Sequence, residues 1–266
     1  GKPVAGDFNG DGVWDVGIYR HGRWYLDLNG NGVWDENDLW AKLGTDADLP
    51  VTGDWDDDGK TDIGIFGPAW ARDPWAIQHE PGLPDSDNFP THPLAHTKNV
   101  PPTANEATSG GRLLKRTSQG KPRADLVDHV FLYGAPGDAP IAGDWNGDGI
   151  RAIGIFRDGG WSLDLDGDGR FTETDGRYTF GQPGDLPIIG DFNGDGVDEI
   201  GVYRAGKWII DTNGNRQIDA HDTVFALGGD AAGEVPVVGD WDGDGTDDPG
   251  TYKPGVVADR VSRRAG

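Results

Sequence analysis

The stretch PVAGDFNGDGVWDVGIYR, residues 3–20, decides the reading of this chain. It puts Asp7, Asn9, Asp11 and Asp15 at relative positions 1, 3, 5 and 9, with Gly10 and Gly12 at positions 4 and 6. Carboxylates this close repel one another unless a cation sits among them. The pattern returns four more times. The candidate ligands are Asp54, Asp56, Asp58 and Asp62; Asp144, Asn146 and Asp148; Asp191, Asn193, Asp195 and Glu199; and Asp240, Asp242, Asp244 and Asp248.

A second acidic loop alternates with the first and follows a W-x-[LI]-D stretch at Trp24, Trp161 and Trp208. It begins 20 residues after a first-type loop and extends the ligand series to position 12. The residues are Asp27, Asn29, Asn31, Asp35 and Asp38; Asp164, Asp166, Asp168 and Asp175; and Asp211, Asn213, Asn215, Asp219 and Asp222.

These spacings define a repeat of about 47 residues, and a repeat of that size governs the whole architecture. Each unit divides into four short segments rich in β-branched and aromatic residues, bounded by glycine turns or acidic loops, which predicts antiparallel strands. In IGVYR, Ile200, Val202 and Arg204 point one way and Gly201 and Tyr203 the other. The expected fold is all-β, with tandem four-stranded units arranged like propeller blades, about five in number, the ring open or closed between molecules. The units run 1–47, 48–137, 138–184 and 185–233, followed by a half unit at 234–254 and a tail at 255–266. The second unit carries a proline-rich insertion at about 67–109, expected to lie over the surface because prolines cannot join a ladder.

The loop pattern D-x-[DN]-x-[DN]-G suits a hard divalent cation, above all calcium, which takes six to eight oxygens from a tight turn. Glycine at position 6 permits the backbone reversal. Asp, Asn and Gly also form turns with no ion at all, but eight copies at matching spacing favour ligands over turn formers. Up to eight Ca²⁺ are expected. The candidate ligands account for 26 of the 46 acidic residues, and eight divalent ions would offset 16 charges of the net −23. Folding should therefore be coupled to metal. Loop 144 has Ala152 at position 9 and should be the weakest; loop 211 has Arg216 in place of glycine, and loop 164 has Thr172 at position 9. In the second unit the corresponding loop keeps only Asp125 and Asp128 and carries Lys121, so no calcium is expected there.

The motif GDFNGDGVDEIGVYR and its sister copies resemble the FG-GAP/VCBS repeats of integrin-α-like bacterial surface proteins, and the second-type loops are similar to dockerin and EF-hand calcium loops. The resemblance covers about 200 residues and leaves the insertion out. It implies calcium held between the strands of propeller blades, in an extracellular or cell-surface and bacterial setting. Blades of that family are usually seven in number and about 60 residues long, whereas these units are shorter.

Charge and composition narrow the function. A net charge of −23 disfavours nucleic acid, whose phosphates need clustered Lys and Arg, and makes a cationic partner the natural expectation. Basic runs occur only at 112–123 and 260–264. No apolar stretch is long enough to span a membrane. The chain has neither Cys nor Met, and its start at Gly1 leads us to expect a processed product or an excised fragment. Catalytic signatures are poor: His79 and Glu80 lack a second histidine four residues on, and Pro93 separates His92 from His96. We therefore expect no enzyme. Trp24, Trp161 and Trp208 recur at one strand position and are expected in the core, while Trp70 and Trp75 in the insertion are candidates for ligand binding. There is no N-x-[ST] sequon, although residues 101–111 could accept O-linked sugar.

The leading expectation is a calcium-rigidified structural or adhesive module. The alternatives are a filament subunit, joined by strand exchange at the chain ends, and a glycan-binding propeller. Candidate partners are thus a second copy of the chain, a glycan or a surface protein.

Overall fold

A computed structural model describes residues 1–35, 37–55, 59–67, 133–167, 169, 171–229 and 233–253. Its elements are all strands: β1 (Lys2–Gly6), β2 (Asp15–Arg20), β3 (Arg23–Asp27), β4 (Leu39–Lys42), β5 (Leu49–Gly53), β6 (Asp62–Phe66), β7 (Ala139–Gly143), β8 (Ala152–Arg157), β9 (Gly160–Leu163), β10 (Gly176–Thr179), β11 (Leu186–Gly190), β12 (Glu199–Arg204), β13 (Lys207–Ile210), β14 (Thr223–Ala226), β15 (Val235–Gly239) and β16 (Asp248–Tyr252). They form three four-stranded antiparallel meanders, β1–β4, β7–β10 and β11–β14, and two hairpins, β5–β6 and β15–β16. Among the described residues no sheet closes on itself, and there is no helix long and apolar enough to cross a membrane.

Local chemistry explains the meander. The β2–β3, β8–β9 and β12–β13 turns place His21-Gly22, Asp158-Gly159 and Ala205-Gly206 at positive φ, the two-residue geometry that matches strand twist. The register is regular, with Tyr19 opposite Trp24, Phe156 opposite Trp161 and Tyr203 opposite Trp208. Each tryptophan lies edge-on to its cross-strand ring, with centroids 5.0, 4.9 and 5.4 Å apart.

As expected, Trp24, Trp161 and Trp208 are core residues, at most 1% exposed. Their indole N–H groups donate to the carbonyls of Leu43, Phe180 and Leu227 at 3.1, 2.8 and 3.1 Å, fastening the chain that leaves the fourth strand. Core clusters join neighbouring units: Ile200, Val202 and Ile209 pack with Trp161 and Phe180, and Ile63 and Ile65 pack against Trp24 and Leu26. The expected alternation in β12 does not translate into one wet face, because residues 199–203 are all buried, with sheets packed on either side.

The first strands touch in a cycle: β1 with β5, β5 with β7, β7 with β11, β11 with β15, and β15 with β1. Five equivalent backbone hydrogen bonds follow the same cycle. The carbonyls of Asp7, Asp54, Asp144, Asp191 and Asp240 accept from the N–H groups of Thr61, Arg151, Asp198, Asp247 and Trp14, at 2.7 to 2.9 Å. First-type loops join first strands to second strands, and second-type loops join third strands to fourth. In an antiparallel meander all of these connections lie at the same end of the sheet.

The opposite end carries the two-residue turns and an acid just before four of the five first strands, Asp48, Asp138, Asp185 and Glu234. Asp138 and Asp185 bond the N–H of Ala135 and Gln182, and pair with Arg157 and Arg204. Asp48 bonds the N–H of Thr45 in the same way. The insertion from residue 68 onward with Trp70 and Trp75, the stretch to residue 132 where the third and fourth strands of the second unit would fall, and the tail at 255–266 lie outside the described residues.

Candidate metal sites on the inter-strand loops

The position-1 aspartate organises each loop. In the opening copy Asp7 Oδ1 accepts from the N–H of Gly10 and Asp11 at 2.6 and 3.1 Å, and Oδ2 from Gly12 at 2.8 Å. Asp144, Asp191 and Asp240 repeat this cradle, each taking the position-6 N–H at 2.8 Å. The second-type aspartates Asp27, Asp164 and Asp211 take it at 2.7, 2.8 and 2.5 Å. The turn needs left-handed backbone at position 6, which explains glycine there. Arg216 adopts φ 60° in its place, with its guanidinium 4.7 Å from the Tyr178 ring centroid.

Position 9 is buried in the first-type loops: Asp15, Asp62, Glu199 and Asp248 are between 5 and 8% exposed. Glu199 accepts from the N–H of Phe192 at 3.0 Å and Asp62 from that of Trp55 at 3.3 Å, so this side chain also ties position 2. In the second-type loops the position-12 carboxylates Asp38, Asp175 and Asp222 accept from the N–H of position 9, at 2.6, 2.5 and 2.7 Å. One oxygen of each is thereby used. Asp38 Oδ1 and Asp222 Oδ1 are buried with no hydrogen-bond partner, as are Asn9 Oδ1, Asp15 Oδ2 and Asp27 Oδ1. A buried acceptor without a donor costs about 1–3 kcal/mol, and more when charged. A cation would satisfy these oxygens.

Among the described residues two acidic groups bring ligand atoms within 4.8 Å of one another and could hold a metal ion: Asp164, Asp166 and Asp175, and Asp240, Asp242 and Asp244. In three of the asparagine-containing loops an amide instead donates to the position-9 acid, while Asn9 Nδ2 donates to Leu28 O and Asn146 Nδ2 to Asp148, each at 3.0 Å. Asn31 Nδ2 reaches Asp35 at 2.8 Å, Asn215 Nδ2 reaches Asp219 at 2.7 Å, and Asn193 Nδ2 reaches Glu199 at 2.5 Å. Rotating each amide by half a turn about Cβ–Cγ would present its oxygen instead. Asp56, Asp58 and Asp168 lie outside the described residues, as do Lys121, Asp125 and Asp128.

The electrostatics show the strain of crowding. Burial, the charges of Asp11 and Asp7, and a smaller push from Asp27 raise Asp15 to about 8, against the lowering effect of the Phe8 N–H. Burial likewise raises Glu199 to about 8, helped by Asp195, Asp191 and Asp198. Asp38, Asp211 and Asp222 are also raised, burial being the first cause in each.

Loop 144 stands apart. Ala152 leaves it without a position-9 carboxylate, and the adjoining Arg151 Nη1 lies 3.2 Å from Asp198 Oδ2. Sequence reasoning passed over Arg151, Asp198 and Asp247, because position 8 reads Trp, Thr, Arg, Asp and Asp in the five loops and so forms no pattern. It also passed over Asp48, Asp138, Asp185 and Glu234, although an acid two residues before the first-strand proline recurs at the repeat spacing.

Comparison of the chain with family models and with curated protein sequences gives no match.

Proposed function

We propose that the protein is a calcium-stiffened, five-bladed β-propeller of the FG-GAP/VCBS kind, acting outside the cell as a structural or adhesive module without catalytic chemistry. The observation that carries this reading is the set of buried loop oxygens without donors, Asn9 Oδ1, Asp15 Oδ2, Asp27 Oδ1, Asp38 Oδ1 and Asp222 Oδ1. The donor set is all oxygen, which favours a hard cation over zinc, and flexible glycine-rich turns with many ligands favour calcium over magnesium. The cycle of contacts among β1, β5, β7, β11 and β15 supports five blades. An extracellular setting follows from ion supply, since loops of moderate affinity fill at about millimolar calcium and not at cytosolic levels.

Thermal unfolding in calcium, magnesium and chelator tests this. The expected order of midpoints is calcium, then magnesium, then chelator; identical midpoints in all three would remove the metal from the account.

The filament reading retains one favourable observation: β16 pairs only with β15 among the described strands, leaving an edge that could accept a strand from another chain. Sedimentation velocity in millimolar calcium separates the two. A 28.4 kDa species means a self-contained module, and polymers that dissolve on chelation mean a fibre.

A further inference from the structure

The five position-8 residues Trp14, Thr61, Arg151, Asp198 and Asp247 converge where the first strands end. A Cβ on Gly6 would lie 2.4 Å from Thr61, one on Gly190 2.7 Å from Asp247, and one on Gly239 2.6 Å from the Trp14 ring, so glycine ends these strands to make room for the cluster. Arg151 is its only cation. Its N–H donates to Asp54 O of the second unit at 2.9 Å, and its guanidinium pairs with Asp198 of the fourth unit at 3.2 Å. The guanidinium carbon also lies 4.8 Å from the Trp14 ring centroid in the first unit. Burial opposes its charge, but Asp198, Asp247 of the fifth unit, Asp144 and Asp54 outweigh that and hold it protonated. One residue thus contacts the first, second and fourth units, through its guanidinium and its backbone N–H, and its charge acts on Asp247 of the fifth.

The neighbouring joints are built around it. Asp198 Oδ2 accepts from Asp144 N at 2.8 Å and Asp247 Oδ2 from Asp191 N at 2.9 Å, so at two joints a carboxylate reinforces the backbone bond. Both carboxylates are buried, 4 and 7% exposed, and burial disfavours the charge of each while Arg151 favours it. The unit that supplies this arginine is the one whose own loop lacks a position-9 carboxylate, Ala152 standing there.

We propose that Arg151 is a built-in cation that fastens the five units to one another at the centre of the ring, independently of any metal in the loops. The inference rests on the five-unit ring and not on calcium. It makes ring closure a property of the ion-free chain, with metal stiffening the loops above an already fastened centre.

Hydrogen exchange in chelator tests it, with Arg151→Met as the variant and Arg157→Met as a control that removes an ion pair in the same unit at the other end of the sheet. The expected result for Arg151→Met is faster exchange, on the order of tenfold or more, at the amides of Trp14, Asp198 and Asp247, with the β12–β13 ladder unchanged. Arg157→Met should leave those three amides as they are. Asp198→Asn, which keeps an acceptor for Asp144 N, should loosen the same joints and serves if Arg151→Met does not fold. The proposal is overturned if the acceleration stays within the third unit, or if the control accelerates the three amides as much. Unprotected Trp14 and Asp247 amides in the unaltered chain would overturn the ring itself, and a failure of calcium to bind would leave this test unchanged.

Discussion

Replacing Asp15 by Asn should act with opposite signs in the two metal states. The Asp15 side chain is 5% exposed, among Asp7, Asp11 and Asp27, and its folded-state value is raised to about 8 from 3.8. At pH 7 the folded chain without metal must take up a proton that the unfolded chain has released. At about 1.4 kcal/mol per unit over the interval from 3.8 to 7, that is a cost of about 4 kcal/mol. Asparagine keeps an oxygen for the Phe8 N–H and turns a neutral amide toward the acids. In chelator it should therefore stabilise the chain by about 2–4 kcal/mol, the lower figure allowing for burial of the amide. In millimolar calcium the substitution removes a charged ligand, so the stabilisation gained from the ion should fall. The assay is urea unfolding at pH 7 in chelator and in calcium. The reasoning is refuted if Asp15→Asn destabilises the protein in chelator, which would make the carboxylate a structural acceptor, or if calcium stabilises both chains equally.

Other consequences follow from the same geometry. Glu199→Gln should show the same inversion, since Glu199 is also raised to about 8. In chelator, stability should be greatest near pH 4 and decline as pH rises toward 8: the raised Asp15, Glu199 and Asp247 (about 7) hold protons when folded that the unfolded chain loses near its ordinary carboxylate values. A flat profile between pH 5 and 8 would contradict this. Trp161→Phe orphans the Phe180 carbonyl and shrinks a fully packed site, and should cost about 2–4 kcal/mol in a denaturant titration, whereas Trp34→Phe, at a position 53% exposed, should cost less than about 0.5. Gly206→Ala should cost about 1–3 kcal/mol by thermal unfolding, because φ is 87° and the new Cβ would lie 2.5 Å from Gly228 O.

The loops were readable because their chemistry is local. Positions 1, 4, 5 and 6 are tied by hydrogen bonds within one turn, so Asp7, Gly10 and Gly12 announce the structure they make. The core tryptophans were readable for a related reason: Trp24, Trp161 and Trp208 answer to a strand position that repeats. The position-8 residues were not readable, because Trp14, Thr61, Arg151, Asp198 and Asp247 make their contacts with other units, and position 8 takes four different residue types in the five loops. The acids Asp138 and Asp185 fall between, since their spacing is visible but their partners Arg157 and Arg204 sit across a hairpin. The asparagine amides are a further departure: the pattern predicts oxygens facing inward, whereas Asn31, Asn193 and Asn215 satisfy the nearby acids through their nitrogens.

The most direct test of the central claim is equilibrium dialysis against millimolar calcium followed by elemental analysis of the protein. The account predicts several bound calcium ions per chain at equilibrium with millimolar calcium, approaching the eight acidic loops and falling by one for a variant in which Asp240, Asp242 and Asp244 are all replaced by Asn. No retained calcium, or a count unaffected by that variant, would contradict it.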